Sequence, residues 1–190
     1  MVGRALRLPE FCRAAFGELL YTGFMTPTIK AVDPSENEFL ASLEARAKQS
    51  NLFLRVIANR PEVLKAWVPF YGAIMGPGSV ERRIKELVYL ACSYTNQCAF
   101  CTAAHTAGGK KAGITEAEMQ SLEAGADEGF SAPERAAIAY ARELTRTAAA
   151  ASTRERLAAH FNDEQIVEIT MVAATANWTN RFNNGLSLVP

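Results

Sequence analysis

The sequence predicts an all-α fold. Three observations carry that prediction: capping residues recur three positions ahead of an acid or amide, apolar residues behind them repeat at helical spacing, and no stretch sustains the alternation of a strand. The capping pairs are Ser35 with Glu38, Thr115 with Glu118, Ser131 with Glu134 and Asn162 with Gln165. In each, the first side chain can accept an N–H that the opening turn of a helix leaves without a partner.

Taken in chain order, residues 1–30 form an arm whose Leu6, Leu8, Phe11, Phe16, Leu19, Leu20, Tyr21 and Phe24 are too apolar for a disordered tail. The arm is expected to pack on the core or on a neighbouring subunit. Residues 31–190 form the helical domain. A helix over 35–50 sets Phe39, Leu40, Leu43 and Ala47 on one stripe. Pro61 starts the next, which carries Val63, Leu64, Trp67, Phe70, Tyr71 and Ile74 and breaks at Gly76, Pro77 and Gly78. Ser79 is expected to open a helix with Ile84, Leu87, Val88, Leu90 and Ala91 apolar. After an interruption at Thr95 and Asn96, a further helix carries Cys98 and Cys101 and is expected to end around Gly108 and Gly109, which lack the spacing of a phosphate loop. Residues 132–147, with Pro133 in the first turn, and 163–179 supply two more.

One internal echo is present. ELVYLACSYTNQCAF from Glu86 resembles EITMVAATANWTNRF from Glu168, with Asn180 standing opposite Cys98, Asn183 opposite Cys101 and Phe182 opposite Phe100. Two readings stand: a duplicated helical unit with its degenerate second copy at 132–184, or two buried Ala-rich helices alike in composition.

At 190 residues, with 20 basic and 20 acidic side chains, the chain is long enough to bury a sizeable core and has no net charge. Balanced charge gives no reason to expect nucleic acid or an anionic membrane as partner. Arg4 and Arg7 are followed by Pro9 and Glu10 instead of an apolar core, unlike a secretory signal, and no apolar run approaches the roughly 20 residues of a membrane span. A soluble, cytoplasmic protein is expected. In a reducing compartment cysteines serve as core fillers, metal ligands or redox catalysts.

Of the four cysteines, Cys98 and Cys101 form C-x-x-C with His105 four residues on. On one helix the three fall within an arc of roughly 60°. A helix start near Asn96 would put Cys98 in the first turn, where free N–H groups favour a thiolate. His105 lies one turn beyond Cys101, and Glu86, one helix earlier, is placed to orient its imidazole. Zinc is the competing reading, with Cys98, Cys101 and His105 as ligands and Glu86 as a fourth. Cys92 reads as a core residue, Cys12 as incidental and His160 as a surface histidine. Trp67, Phe70 and Tyr71 read as core or subunit-interface aromatics, with lining of a substrate pocket as the alternative. Asn177, Trp178, Asn180, Arg181 and Asn183 read as an amide network closing the bundle, away from the motif, with contact to the site as the alternative. Tyr94 is expected beside the cysteines.

Glu86, eleven intervening residues, Cys98, Cys101 and His105 resemble the active-site pattern of the AhpD-like alkylhydroperoxidases, in the peroxidase-related branch of the carboxymuconolactone decarboxylase superfamily. The likeness covers roughly residues 55–185 and includes NRPEVLKAWVPFYGAIM, ERRIKELVYLACSYTNQCAFCTAAH and WTNRFNN. It implies an all-helical fold, a cyclic homo-oligomer (dimer, trimer or hexamer) and a thiol-dependent peroxidase activity without a cofactor. Carried over, it makes Cys101 the peroxidatic thiol, Cys98 the resolving thiol, and His105 with Glu86 the proton relay. The dipole argument alone favours Cys98 as nucleophile. A hydroperoxide would be the substrate and a lipoyl or thioredoxin-like dithiol protein the electron donor. Phe100 departs from the pattern, since the best-known members have a histidine between the cysteines; a slower peroxidase or a different electrophile follows. The alternatives are a redox-sensing or metal-binding protein of the same fold, or a decarboxylase-like enzyme of the superfamily.

Overall fold

A computed structural model describes residues 29–190. Cys12 and all but the last two residues of the apolar arm lie outside the described residues. Among those described, the chain is all helical and contains no strand: a 3-10 turn at Pro34–Glu36 precedes α1 (Glu38–Ala47), α2 (Leu52–Ile57), α3 (Pro61–Met75), α4 (Arg82–Thr95), α5 (Ala99–Lys111), α6 (Glu116–Glu123), α7 (Ala132–Thr147), α8 (Arg154–Ala158) and α9 (Asp163–Gly185).

Three of the four capping pairs form complete capping boxes, at Thr115, Ser131 and Asn162. The fourth does not. Pro34 begins a 3-10 turn capped by Asp33, whose carboxylate accepts from Ser35, so Asn37 caps α1 instead by accepting from Leu40 N at 3.0 Å. Ser79 likewise opens no helix. Its N–H and hydroxyl both donate to Glu168, and α4 begins only at Arg82.

α4 is the central helix. It packs against α5, α7 and α9, and Leu87, Val88, Leu90 and Cys92 on it are fully buried. Cys92 is the core residue expected, and burial pushes its thiol up to about 12. A second, smaller cluster gathers Leu40, Phe53, Ile57, Ala58 and Leu64 from α1 to α3, and Phe100 packs against both clusters. The seam between them positions the site.

Two cations, the buried Lys85 and the exposed Arg82, tie α3 to α4. Lys85 Nζ donates to the carbonyls of Ile74 (2.9 Å) and Gly76 (2.7 Å) at the end of α3 and pairs with Glu168 of α9. Gly78 is required there, because a Cβ on it would lie 2.1 Å from Glu168 Oε1. Arg82 donates one N–H to the carbonyl of Met75 and two others to Glu86. The end of α3 is therefore held in register with the acid on α4.

Candidate active site

Cys98 is the N-cap of α5. Gln97 before it adopts a left-handed conformation (φ 53°), which turns the chain sharply out of α4 and aims the Cys98 sulfur back over the first turn. That sulfur accepts the N–H of Cys101 at 3.3 Å. Cys101 in turn accepts from the side-chain amide of Asn183, on α9, at 3.1 Å. Both thiols are buried and neither is in a disulfide.

Cap position alone favours charge on Cys98, but the full set of partners reverses this. The Cys98 S–H directed at Cys101 lowers the Cys101 thiol most; burial opposes that, and the side chains of Asn183, Asn180 and Thr179 lower it further, to about 7. Cys98 is raised, first by that same shared proton and then by burial. A single backbone N–H on Cys98 is outweighed.

Glu86 is fully buried, with both oxygens occupied. Oε1 accepts from Arg82 Nε (2.8 Å) and Nη2 (2.5 Å), and Oε2 accepts from His105 Nδ1 (2.7 Å). Burial would raise its carboxyl, but His105 and Arg82 together outweigh that and hold it below the usual range. An ionised carboxylate only accepts, so Nδ1 carries a proton. The other ring nitrogen, Nε2, lies 3.2 Å from the hydroxyl of Tyr71 on α3. The imidazole stacks on Tyr89 of α4, with ring centroids 3.4 Å apart. The hydrogen bonds of His105 go to Glu86 and Tyr71, and none goes to a sulfur.

A cavity of about 290 Å³ opens beside these groups. Cys101, His105, Tyr71 and Asn183 supply its polar side, while Leu43, Phe53, Leu54, Trp67, Val68 and Phe100 supply an apolar one. Trp67 stacks on Trp178 (4.5 Å between centroids) and meets Phe53 edge-on.

The structure thus brings together Glu86, Cys98, Cys101 and His105, and decides between several neighbouring readings. Trp67 and Tyr71 line the cavity. Asn177 and Asn180 do close the bundle, through Asn96 at 2.9 Å each, but Asn183 of the same group reaches Cys101. Tyr94 is not among the cavity-lining residues; Tyr71 and Tyr89 are. His160 is exposed. α5 does not stop at the glycines but runs to Lys111, and Gly108 is where Glu86 passes: a Cβ there would lie 2.6 Å from Glu86 Oε1. Glycine inside a helix costs about 1 kcal/mol relative to alanine, so paired glycines within a helical run were the legible signal of a close approach. Asn183 and Tyr71 carried no such local mark. Zinc fits poorly. Among the described residues no group of three or more His, Cys, Asp or Glu side chains is arranged to hold a metal, and Glu86 and His105 are turned to one another.

A helical bundle with a buried dithiol at a helix start, an acid–imidazole pair beside it and an apolar cavity defines a class of small cysteine-based proteins. Residues 61–143 match the model of the carboxymuconolactone decarboxylase family. The chain belongs to that family, and to its AhpD-like members. It is 30% identical over 109 residues to the uncharacterized protein YdfG of Bacillus subtilis (strain 168), spanning 55% of this chain and 74% of that one. A protein of unknown function from Agrobacterium tumefaciens, described as a candidate antioxidant defence protein AhpD, is 28% identical with a TM-score of 0.63, over 70% of this chain and 94% of its own. Two further structures share the fold. An uncharacterized peroxidase-related protein from Silicibacter sp. TM1040 has a TM-score of 0.72 at 22% identity, covering 86% and 88% of the two chains. The debrominase Bmp8 has 0.75 at 16%, covering 87% and 94%. No helix among the described residues is long and apolar enough to cross a membrane.

Proposed function

We propose that the protein is a thiol-dependent peroxidase acting on organic hydroperoxides through a Cys98–Cys101 dithiol/disulfide cycle. The observation that carries this reading is the Cys101 sulfur, lowered to about 7 and facing an apolar cavity, with the resolving thiol three residues away at the cap of the same helix. The Cys101 thiolate attacks the terminal oxygen of the hydroperoxide. The O–O bond breaks, an alcohol leaves and Cys101 becomes a sulfenic acid. Cys98 attacks that sulfur, water departs and a disulfide remains. A dithiol protein of lipoyl or thioredoxin-like chemistry restores the thiols by exchange. Glu86 and His105 hold the proton that Cys101 gives up.

The test counts thiols. Cumene hydroperoxide should consume two thiols per chain in the wild type, C98S should stop at a sulfenic acid trappable by dimedone, and C101S should consume nothing. Full turnover by C101S would sink the assignment.

The aromatic lining of the cavity favours one second reading, a reductive attack by the same dithiol on a halogenated aromatic ring. The debrominase that shares this fold is known in complex with 2,3,4-tribromopyrrole. Halide release from a brominated pyrrole, without hydroperoxide turnover, would select that reading.

A further inference from the structure

We infer that Tyr71 is the acid that delivers the proton to the departing oxygen, standing between His105 and the substrate; the inference rests on the peroxidase reading above.

The argument begins with the imidazole. Nδ1 is committed to Glu86 and Nε2 faces the Tyr71 hydroxyl at 3.2 Å, so neither ring nitrogen is directed at the substrate. A proton held on Nε2 meets the oxygen of Tyr71 first, and that hydroxyl lines the cavity too. Phe100, which lines the same cavity between the two cysteines, can neither donate nor accept one.

Among the described residues one other tyrosine, Tyr89, lines the cavity, and its hydroxyl is engaged by Thr179. The one hydrogen of Thr179 Oγ1 has the backbone carbonyls of Thr175 and Ala176 as acceptors, and with it directed there Tyr89 is the donor in the 2.5 Å contact between the two hydroxyls. Tyr71 has no such commitment. When His105 is neutral, the Tyr71 O–H donates to Nε2. When His105 carries the proton released by Cys101, Nε2–H donates to the Tyr71 oxygen instead, and the phenolic hydrogen is free to turn into the cavity. Burial, with the nearby Glu86 charge, also pushes the phenol above its ordinary range, so it stays protonated until a stronger base forms beside it.

Such a base forms in the reaction. As the Cys101 sulfur bonds to the terminal oxygen, the O–O bond breaks and its electron pair leaves on an alkoxide. The alkoxide takes the phenolic proton and departs as an alcohol. The phenolate recovers a proton from His105 Nε2, and the imidazole is left neutral against Glu86. The proton lost by Cys101 is thus the one gained by the alcohol, and the peroxide's own hydrogen stays on the sulfenic acid.

Leaving groups separate this role from a packing role. An alkoxide needs a proton to leave, whereas the carboxylate expelled from a peracid does not. Single-turnover reduction of tert-butyl hydroperoxide and of peracetic acid would be followed in wild type and Tyr71→Phe, with the rate of Cys101 alkylation and the unfolding midpoint as controls for thiolate and fold. The expected result is a loss of about 100-fold for the alkyl hydroperoxide and less than about 5-fold for the peracid, the size of a general-acid contribution. Incorporation of 3-fluorotyrosine at position 71, which keeps the hydroxyl, should restore most of the lost rate. Equal losses for both oxidants, or none for either, would overturn the assignment of Tyr71 while leaving the peroxidase reading standing. A wild type that reduces neither oxidant would overturn both.

Discussion

The side-chain amide of Asn183 donates to the sulfur of Cys101 across 3.1 Å, joining two residues 82 positions apart in the chain. They are also the two residues that the internal echo sets opposite one another. A neutral amide is well suited to this place: it stabilises a thiolate without the desolvation cost of a buried cation. Hydrogen bonds to charged groups contribute about 1.5–3 kcal/mol, which corresponds to one to two pH units on the thiol. Asn183→Ala should therefore raise the Cys101 thiol from about 7. The thiolate fraction at pH 7 should fall roughly 5- to 50-fold on that scale. The pH dependence of Cys101 alkylation by iodoacetamide measures this directly, with the rising limb displaced to higher pH in the variant.

Glu86 makes stability and activity depend on acid together. Its carboxyl is lowered in the folded protein, so its contribution to stability is complete above the ordinary carboxylate range and is lost as pH falls through the lowered native value. Glu86→Gln removes that titration. The variant should show a shallower loss of stability on acidification than the wild type, read from denaturation midpoints between pH 3 and 7. Because the amide can no longer hold a charged imidazole, hydroperoxide turnover should fall about 100-fold or more.

Two glycines within helices should respond in opposite directions to alanine. Gly72, at an exposed position of α3, has nothing within 4 Å of a built Cβ, so Gly72→Ala should stabilise the protein by about 0.5–1 kcal/mol through helix propensity. Gly108 has Glu86 Oε1 at 2.6 Å from the same point. Gly108→Ala should lower the melting temperature and reduce turnover, because Glu86 cannot move without leaving either Arg82 or His105. Thermal melts of the pair make each the control of the other.

The apolar lining predicts a preference among oxidants. Burying a phenyl-sized group of roughly 100 Å² against Phe53, Trp67 and Phe100 is worth about 2.5 kcal/mol, or nearly 100-fold in binding. Cumene hydroperoxide should be reduced with kcat/KM well above that for hydrogen peroxide. Phe100→Ala should narrow the gap, because the ring bridging the two clusters is lost.

The helices and the reactive quartet were legible in the residues because both are local properties. Capping boxes at Thr115, Ser131 and Asn162 need only four consecutive residues, and Cys98, Cys101 and His105 share a face through helix geometry alone. Even there, local signals failed where a distant group competed: Ser79 resembles a helix cap, but Glu168, 89 positions away, takes its hydroxyl. Periodicity marked Tyr71 as an inward residue without saying what it faces, and Asn183 as one amide among several.

Those questions were decided when α3 and α9 closed around α4 and α5. Packing set the Tyr71 hydroxyl on His105, the Asn183 amide on Cys101 and the Glu86 carboxylate against the bare backbone of Gly108. The sequence determined by itself that this is a helical protein with a dithiol, an imidazole and an acid within reach of one another. Which sulfur carries the charge, and which group faces the substrate, depends on hydrogen bonds between residues far apart in the chain, and such bonds exist only once desolvation has brought their partners together.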